Sequence, residues 1–155
     1  MRAGVRIGVD VGSVRVGVAT SDAGGLLATP VATLSRDSDG GQDLRRLAEL
    51  VQERAALEVV VGLPRSLSGA EGPAAAAARA YAGQLAALVL PVPIRLVDER
   101  MSTVTAHQAL RSSGVRERKG RKVVDQVAAV VILQHALDAE RSTGHPPGEL
   151  VVHSK

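Results

Sequence analysis

The sequence predicts an α/β fold of three layers, in which helices flank a mixed central sheet. Short β-branched segments separated by glycine-containing turns open the chain over residues 5–34, which is typical of an antiparallel three-strand meander. Strand-like and helix-like segments then alternate up to residue 98, which indicates right-handed crossovers and parallel strands. A length of 155 residues gives one domain with a sizeable core.

The meander begins with a predicted hairpin over residues 5–20 that turns after Gly12. Asp10 falls near the end of the first strand of this hairpin. Because side chains alternate along a strand, Asp10 faces opposite to Val9 and Val11. Residues 29–34 form the third predicted strand.

Helices and strands alternate after the meander. A helix is indicated where apolar residues recur at helical spacing, and a strand buried on both faces where a continuous apolar run ends at a proline. In chain order we predict a helix over residues 42–56, a strand over 59–63, a helix over 73–90, a strand over 94–98, a helix from 102 or 103 to 111, and a long helix over 121–141.

Composition limits the compartment and the class of protein. The chain has no cysteine, which excludes disulfides and thiolate metal sites and favours a reducing cytoplasm. No apolar run reaches the roughly 18 residues of a membrane span, and the N-terminus lacks the pattern of a signal peptide. We therefore expect a cytoplasmic protein without a membrane partner. Its single domain would cover residues 1–143, followed by a flexible tail over 144–155.

Basic residues are concentrated in one segment, although the net charge of the chain is only +3. This segment holds a single acid, Glu117, and is predicted to be a loop. Either it is a solvated loop or it contacts the phosphates of a nucleic acid, and its position between two candidate site acids favours the second interpretation. The cations are Arg111, Arg116, Arg118, Lys119, Arg121 and Lys122.

Three acids, Asp10, Glu99 and Asp125, lie within or at the end of apolar segments. A buried carboxylate without a partner is costly, so such acids are usually paired, hydrogen-bonded or bound to metal. If the three converge, they form a divalent-metal site. Taken singly, each also has a structural interpretation: a turn residue at Asp10, an ion pair with Arg100 at the strand end, and a helix N-terminal residue at Asp125.

Periodicity refines two of these assignments. Asp98 and Glu99 are adjacent, so their side chains point to opposite faces of the strand and at most one joins the site; we choose Glu99. Asp125 precedes a stripe of small and apolar residues at helical spacing and is predicted to face the sheet. The stripe consists of Ala128, Ala129, Ile132 and Ala136.

Other common catalytic signatures are missing from the sequence. The four histidines show no metal-ligand spacing. The chain contains neither a G-x-S-x-G nucleophile elbow nor a G-x-x-x-x-G-K-S/T phosphate loop. Serine hydrolases and P-loop nucleotide-binding proteins are therefore disfavoured.

Four segments, in this order, resemble the YqgF family of RNase H-like proteins, also called RuvX. They are RIGVDVGS at 6–13 with RVGVA at 15–19, VVGLP at 60–64 with Gly69, Glu71 and Gly72, VDERMST at 97–103, and DQVAAVVILQ at 125–134. The resemblance extends over nearly the whole chain and implies an RNase H-like fold. Val11, Val14 and Ser102 depart from the family pattern, which has an aromatic residue, a lysine and a threonine there.

The family is described as Holliday junction resolvases or pre-16S rRNA nucleases. The resemblance implies that Asp10, Glu99 and Asp125 are catalytic and bind one or two Mg²⁺ or Mn²⁺ ions, which activate water for in-line attack on a phosphodiester. It also implies that Ser13, Arg15, Arg100 and Thr103 position phosphate. The basic segment, with Arg116, Arg118, Lys119, Arg121 and Lys122, would hold the nucleic-acid strand.

The leading hypothesis is a metal-dependent endonuclease that acts on structured RNA, processing the 5′ end of pre-16S rRNA. Resolution of branched DNA is the same chemistry on another substrate and would require a symmetric homodimer. A nucleic-acid-binding module without catalysis would need the basic segment but no acidic triad. An ATPase or sugar kinase of the actin-like superfamily would need two related domains, and this chain has one copy of the hairpin.

Overall fold

The computed structural model describes residues 1–99 and 117–152, with side chains over 1–99 and 125–152. The strands are β1 (Arg6–Val11), β2 (Arg15–Ser21), β3 (Ala28–Ser35), β4 (Glu58–Leu63), β5 (Ile94–Asp98) and β6 (Glu149–Leu150). The helices of this part of the chain are α1 (Gln42–Glu53), α2 (Pro73–Val89) and α3 (Glu117–Thr143).

The six strands of the described ranges form one mixed sheet in the order β3-β2-β1-β4-β5-β6. Strands β1, β2 and β3 are an antiparallel meander, and β4 and β5 run parallel to β1. The predicted mixed sheet is confirmed. Its parallel part brings the carboxyl ends of β1, β4 and β5 to the same edge.

Helices cover both faces of the sheet, as the prediction of three layers requires. On one face, α1 and α2 pack on Val9, Val61 and neighbouring residues around Leu47 and Leu85. On the other face, α3 packs through Ala129, Ile132 and Leu133. A side chain at Gly8 of β1 would meet Leu133 Cβ at 2.7 Å, so this glycine lets α3 lie close to the sheet.

Most predicted elements appear with ends shifted by a few residues. Helix α1 ends at Glu53, before Ala55, whose positive φ of 48° is incompatible with a continuing helix. Strand β4 is buried along its whole length, as predicted from its continuous apolar run. The helix predicted over 102–111 lies outside the described residues.

The predicted basic loop is wrong over residues 117–120, because the long helix α3 begins by Glu117 and not at the predicted residue 121. Arg118, Lys119, Arg121 and Lys122 therefore lie in the first turns of this helix. Lysine, arginine and glutamate are good helix formers, so this composition is compatible with a helix. Arg116 lies outside the described ranges.

The C-terminal segment contributes a strand where the sequence predicts only a flexible tail. Glu149–Leu150 pairs with β5, and the amide of Val151 donates to the carbonyl of Ile94 at 2.9 Å. The Glu149 carboxylate also pairs with Arg79 of α2 at 2.6 Å. The added strand covers the edge that β5 would otherwise expose.

The far end of α3 is anchored by buried charges at the N-terminal end of β1. Arg6 and Glu140 are nearly inaccessible and pair at 3.1 Å, and Arg2 also contacts Glu140. Hydrogen bonds from Arg2 lower the pKa of Glu140 to about 2. This network holds α3 against the sheet and so helps to position Asp125 near the other end of the helix.

Among the helices of the described residues, none combines the length and the apolar character that a membrane span requires.

Candidate active site

Asp10 lies at the carboxyl end of β1, on the sheet face that α3 covers. Its register partner on β2 is Gly17. On the other side, Val61 of β4 pairs with Val9, so the next residue of β4, Gly62, lies beside Asp10. The acid thus stands between two glycines, and no neighbouring Cβ covers it on either strand.

Gly17 makes room for the backbone of α3. A Cβ at position 17 would overlap the carbonyl group of Asp125, so only glycine lets the helix approach so closely. Asp125 is thereby brought close to Asp10. It is the ninth residue of α3, so its interpretation as a first-turn residue is wrong. The predicted stripe is confirmed, since Ala128, Ala129, Ile132 and Ala136 are all buried.

Asp125 is paired with a cation from the hairpin. The Nε–H of Arg15 donates to Asp125 Oδ2 at 2.8 Å, across a separation of 110 residues in the sequence. The side chains of Arg15 and Asp125 are 29 % and 18 % exposed, so the pair is accessible at the rim of the site. Arg15 therefore lies beside a site acid, and its partner in the described structure is the Asp125 carboxylate.

Glu99 follows directly after β5 and turns into the protein. Its amide donates to the carbonyl of Leu63 at 3.3 Å, and its side chain lies over Gly62, against Ile132 of α3. The residue is 8 % exposed, and its buried Oε2 has no hydrogen-bond partner among the described residues. Asp98 is exposed instead, and its carboxylate lies 3.9 Å from Arg65.

Burial and mutual repulsion raise the pKa of two of the acids. Burial raises the pKa of Asp10 to about 6, and the nearby charge of Asp125 adds to the effect. Burial raises the pKa of Glu99 to about 8, with further contributions from Asp10 and Asp98. The described part of the protein therefore supplies too few positive charges and hydrogen-bond donors to stabilise the ionised carboxylates at this end of the sheet.

This donor set fits a hard divalent cation. It consists of carboxylate oxygens, one of them a buried atom without a partner, beside glycines that leave space. A cation would offset the repulsion that raises the two pKa values. Within the described ranges, however, no group of three or more acidic or histidine side chains is already arranged to hold a metal ion. Asp10 adjoins both Glu99 and Asp125, whereas Asp125 is held by Arg15.

The remaining predicted contacts are only partly described. Ser13 is exposed in the turn between β1 and β2, next to the site. Arg100, Thr103 and Arg116 lie outside the described residues, and so do the side chains of the four α3 cations. The backbone of those cations lies in the two turns of α3 that precede Asp125.

Sequence reasoning missed the function of the two glycines, although both lie in the motifs that carry the resemblance. A glycine inside a strand is itself a signal, because it weakens the strand and often marks the close approach of another group. Neither the spacing nor the strand pattern states which group approaches. The structure identifies Asp125 over Gly17 and Glu99 over Gly62.

Comparison with known proteins identifies relatives along almost the whole chain. The model of the RuvX family, described as Holliday junction resolvase, matches residues 4–139. A protein of a Nocardioides species named "Putative pre-16S rRNA nuclease" is 60 % identical over 156 residues, covering 97 % of this chain and 98 % of its own. A protein of the same name from Streptomyces coelicolor is 59 % identical over 150 residues, covering 96 % and 89 %.

Solved structures with the same fold are more distant in sequence. RuvC of Thermus thermophilus, in a structure titled as a complex with Holliday junction substrate, superposes with a TM-score of 0.55 at 17 % identity. That match covers 96 % of this chain and 99 % of RuvC. A second RuvC structure gives a TM-score of 0.50. The predicted RNase H-like fold is confirmed, and the extent of the family match shows that the chain belongs to the RuvX family.

Proposed function

We propose that this protein is an endonuclease that hydrolyses phosphodiester bonds in structured nucleic acid, with precursor 16S rRNA as its substrate. The observation that carries the proposal is the placement of Asp10 beside both Glu99 and Asp125 at the carboxyl end of the parallel strands. Relatives at about 60 % identity whose name refers to pre-16S rRNA support the choice of substrate.

Asp10, Glu99 and Asp125 would together hold Mg²⁺ or Mn²⁺, the hard cations that prefer carboxylate and water ligands. When bound, the metal supplies an activated water and stabilises charge on the leaving oxygen. Asp10 and Glu99 must be ionised to act as ligands. Their raised pKa values mean that protons leave these carboxyls as the cation binds.

Protein side chains at the rim of the site would hold the nucleic acid. Arg15 and Ser13 would contact phosphates close to Asp125, and we assign the same task to Arg100 and Thr103. The α3 cations Arg118, Lys119, Arg121 and Lys122, together with Arg116, would hold the backbone farther from the reaction. Contacts of this kind recognise the shape and charge of the backbone more than the identity of the bases.

The test compares cleavage of precursor 16S rRNA by the wild type, Asp10→Asn and Asp138→Asn. Asp138 is an exposed acid on α3, paired with Arg141, and serves as the matched control for loss of one carboxylate. Asp10→Asn should abolish Mn²⁺-dependent cleavage, whereas Asp138→Asn should retain it. Equal cleavage by all three proteins would contradict the proposal.

A second candidate substrate is a four-way DNA junction, which the description of the matching family model favours. The same chemistry would then act on two opposed strands and need a symmetric dimer with two sites. Paired, symmetric incisions in a junction, made by a dimer and lost in Asp10→Asn, would favour this substrate over precursor rRNA. Binding of either nucleic acid without cleavage would instead indicate a binding module.

A further inference from the structure

Among the three site acids, Asp125 is the one that forms an ion pair with a basic side chain of the described residues. Arg15 donates to it at 2.8 Å, whereas within the described ranges no cation pairs with Asp10 or Glu99. Arg15 begins β2, directly after the exposed turn residues Ser13 and Val14. The guanidinium group of Arg15, whose side chain is 29 % exposed, is therefore accessible to a ligand that approaches this turn from solvent.

Arg15 competes with a metal ion for Asp125. A divalent cation held by the three acids would lie close to the guanidinium group, and two cations on one carboxylate repel each other. The described structure agrees with this competition, since the Nε–H of Arg15 occupies Oδ2 of Asp125 at 2.8 Å. Because both side chains are partly exposed, the ion pair is weak enough to be replaced.

The phosphate of a nucleic acid is a suitable replacement partner for Arg15. A guanidinium group presents five N–H donors in a planar fork that matches the anionic oxygens of a phosphate, and such charge-assisted hydrogen bonds are strong. In the described structure Arg15 uses its Nε–H on Asp125. When the guanidinium group binds phosphate in place of Asp125, the Asp125 carboxylate becomes available to the metal.

We propose that Arg15 is a positioning residue that holds Asp125 in the free protein and transfers to a phosphate of bound nucleic acid, so that nucleic acid and metal bind with positive coupling. The inference rests on the proposed function, because it takes Asp125 as a metal ligand and phosphate as the ligand of Arg15. Coupling between two ligands is reciprocal, so each should raise the affinity for the other by the same factor.

The first test measures Mn²⁺ binding to the protein without nucleic acid, from the electron paramagnetic resonance signal of unbound Mn²⁺. Arg15→Gln should bind Mn²⁺ more tightly than the wild type by roughly two- to fivefold, as expected when an exposed ion pair no longer competes. Arg15→Lys keeps the charge and should stay closer to the wild type. Arg54→Gln, an exposed change at the end of α1, controls for net charge and should have no effect.

Weaker or unchanged Mn²⁺ binding in Arg15→Gln would overturn the inference. Weaker binding would show that Arg15 orients Asp125 for the metal instead of competing with it. If Arg54→Gln bound Mn²⁺ as tightly as Arg15→Gln, the effect would come from net charge alone, and the inference would also fail.

The decisive outcome of the second test is measured on the wild type, so it does not depend on the folding of a variant. Fluorescence anisotropy gives the affinity for a precursor-rRNA hairpin and for a four-way DNA junction, with and without Ca²⁺ as a metal that binds carboxylates. Ca²⁺ should tighten binding, and the gain should be smaller in Arg15→Gln. If Ca²⁺ raises the affinity for both nucleic acids, the phosphate backbone alone is sufficient for the coupling. If it raises the affinity for only one of them, that nucleic acid is the source of the phosphate. No gain with either overturns the inference.

The failure of this inference can be told apart from failure of the proposed function. If the wild type cleaves and Asp10→Asn does not, while Arg15→Gln leaves the Mn²⁺ affinity unchanged, the nuclease function stands and the coupling is wrong. If Asp10→Asn cleaves as the wild type does, the function itself is wrong.

Discussion

The carboxylate of Glu99 occupies the space that a side chain at Gly62 would fill. Oε2 of Glu99 and Cδ1 of Ile132 both lie within overlap distance of an added Cβ at position 62. The missing side chain therefore places the Glu99 carboxylate against the central strand, next to Asp10. A substitution that fills this space at position 62 should displace the Glu99 carboxylate while the three candidate metal ligands, Asp10, Glu99 and Asp125, stay the same.

We predict that Gly62→Ala lowers cleavage by about tenfold or more while the three acids remain, because the displacement of a ligand by about 1 Å is expensive in catalysis. Crowding against Ile132 should also lower the free energy of unfolding by about 1–3 kcal/mol. Steady-state cleavage and chemical denaturation measure the two effects. Gly72→Ala is the matched control, since nothing lies within 4 Å of an added Cβ there. Full activity in Gly62→Ala would show that the position of Glu99 is unimportant.

The metal-free protein should lose stability as the pH rises. Asp10 and Glu99 have pKa values of about 6 and about 8 in the folded state, above their ordinary values of 3.8 and 4.5. Below about pH 3 both carboxyls are largely protonated in the folded and in the unfolded state. As the pH rises from there to about 8, the unfolded chain releases its protons first, and folding becomes less favourable by several kcal/mol.

Urea denaturation at a series of pH values, in the presence of a chelator, measures this dependence. Asp10→Asn should flatten part of it, and Mn²⁺ should restore stability at about pH 8 because it binds the ionised carboxyls. Glu140, whose pKa is lowered to about 2, loses its stabilising effect as the pH falls below about 4.5 and does not disturb the range from pH 5 to 8. A free energy of unfolding that rises between pH 5 and 8 without metal would contradict the assigned environment of the acids.

The cations in the first turns of α3 should determine the affinity for nucleic acid. Neutralising Arg118, Lys119 and Arg121 together should weaken binding and reduce the slope of log K against log salt by about 0.9 for each duplex phosphate that the variant no longer neutralises. Binding titrations at several salt concentrations measure the slope. The same number of changes at Arg45, Arg46 and Arg54 of α1, on the opposite layer, provides the control. An unaltered slope in the α3 variant would mean that these residues are only solvated.

Local patterns predicted the two acids whose surroundings are periodic. Alternation along β1 placed Asp10 opposite to Val9, and helical spacing placed Asp125 on the buried stripe of α3. The choice of Glu99 over Asp98 followed from the same alternation together with the family resemblance. In the structure Glu99 lies beside Asp10, and Asp98 faces Arg65.

Contacts between residues that are far apart in the chain could not be predicted from these local patterns. The pair between Arg15 and Asp125 joins residues 110 positions apart, and the contact of Gly62 with Glu99 depends on how β5 ends. The sequence predicts a loop over residues 117–120, the first turn of α3, because the charges there carry no apolar period. A strand of two residues such as β6 is too short to show any period at all.

The central claim is that Asp10 belongs to the set of acids that carries out phosphodiester hydrolysis. The most direct measurement is the rate of Mn²⁺-dependent cleavage of precursor 16S rRNA and of a four-way DNA junction by the wild type and Asp10→Asn, with folding and nucleic-acid affinity measured in parallel. We predict cleavage of at least one substrate by the wild type, and its loss in a variant that folds and binds as before. Undiminished cleavage by Asp10→Asn would contradict the account.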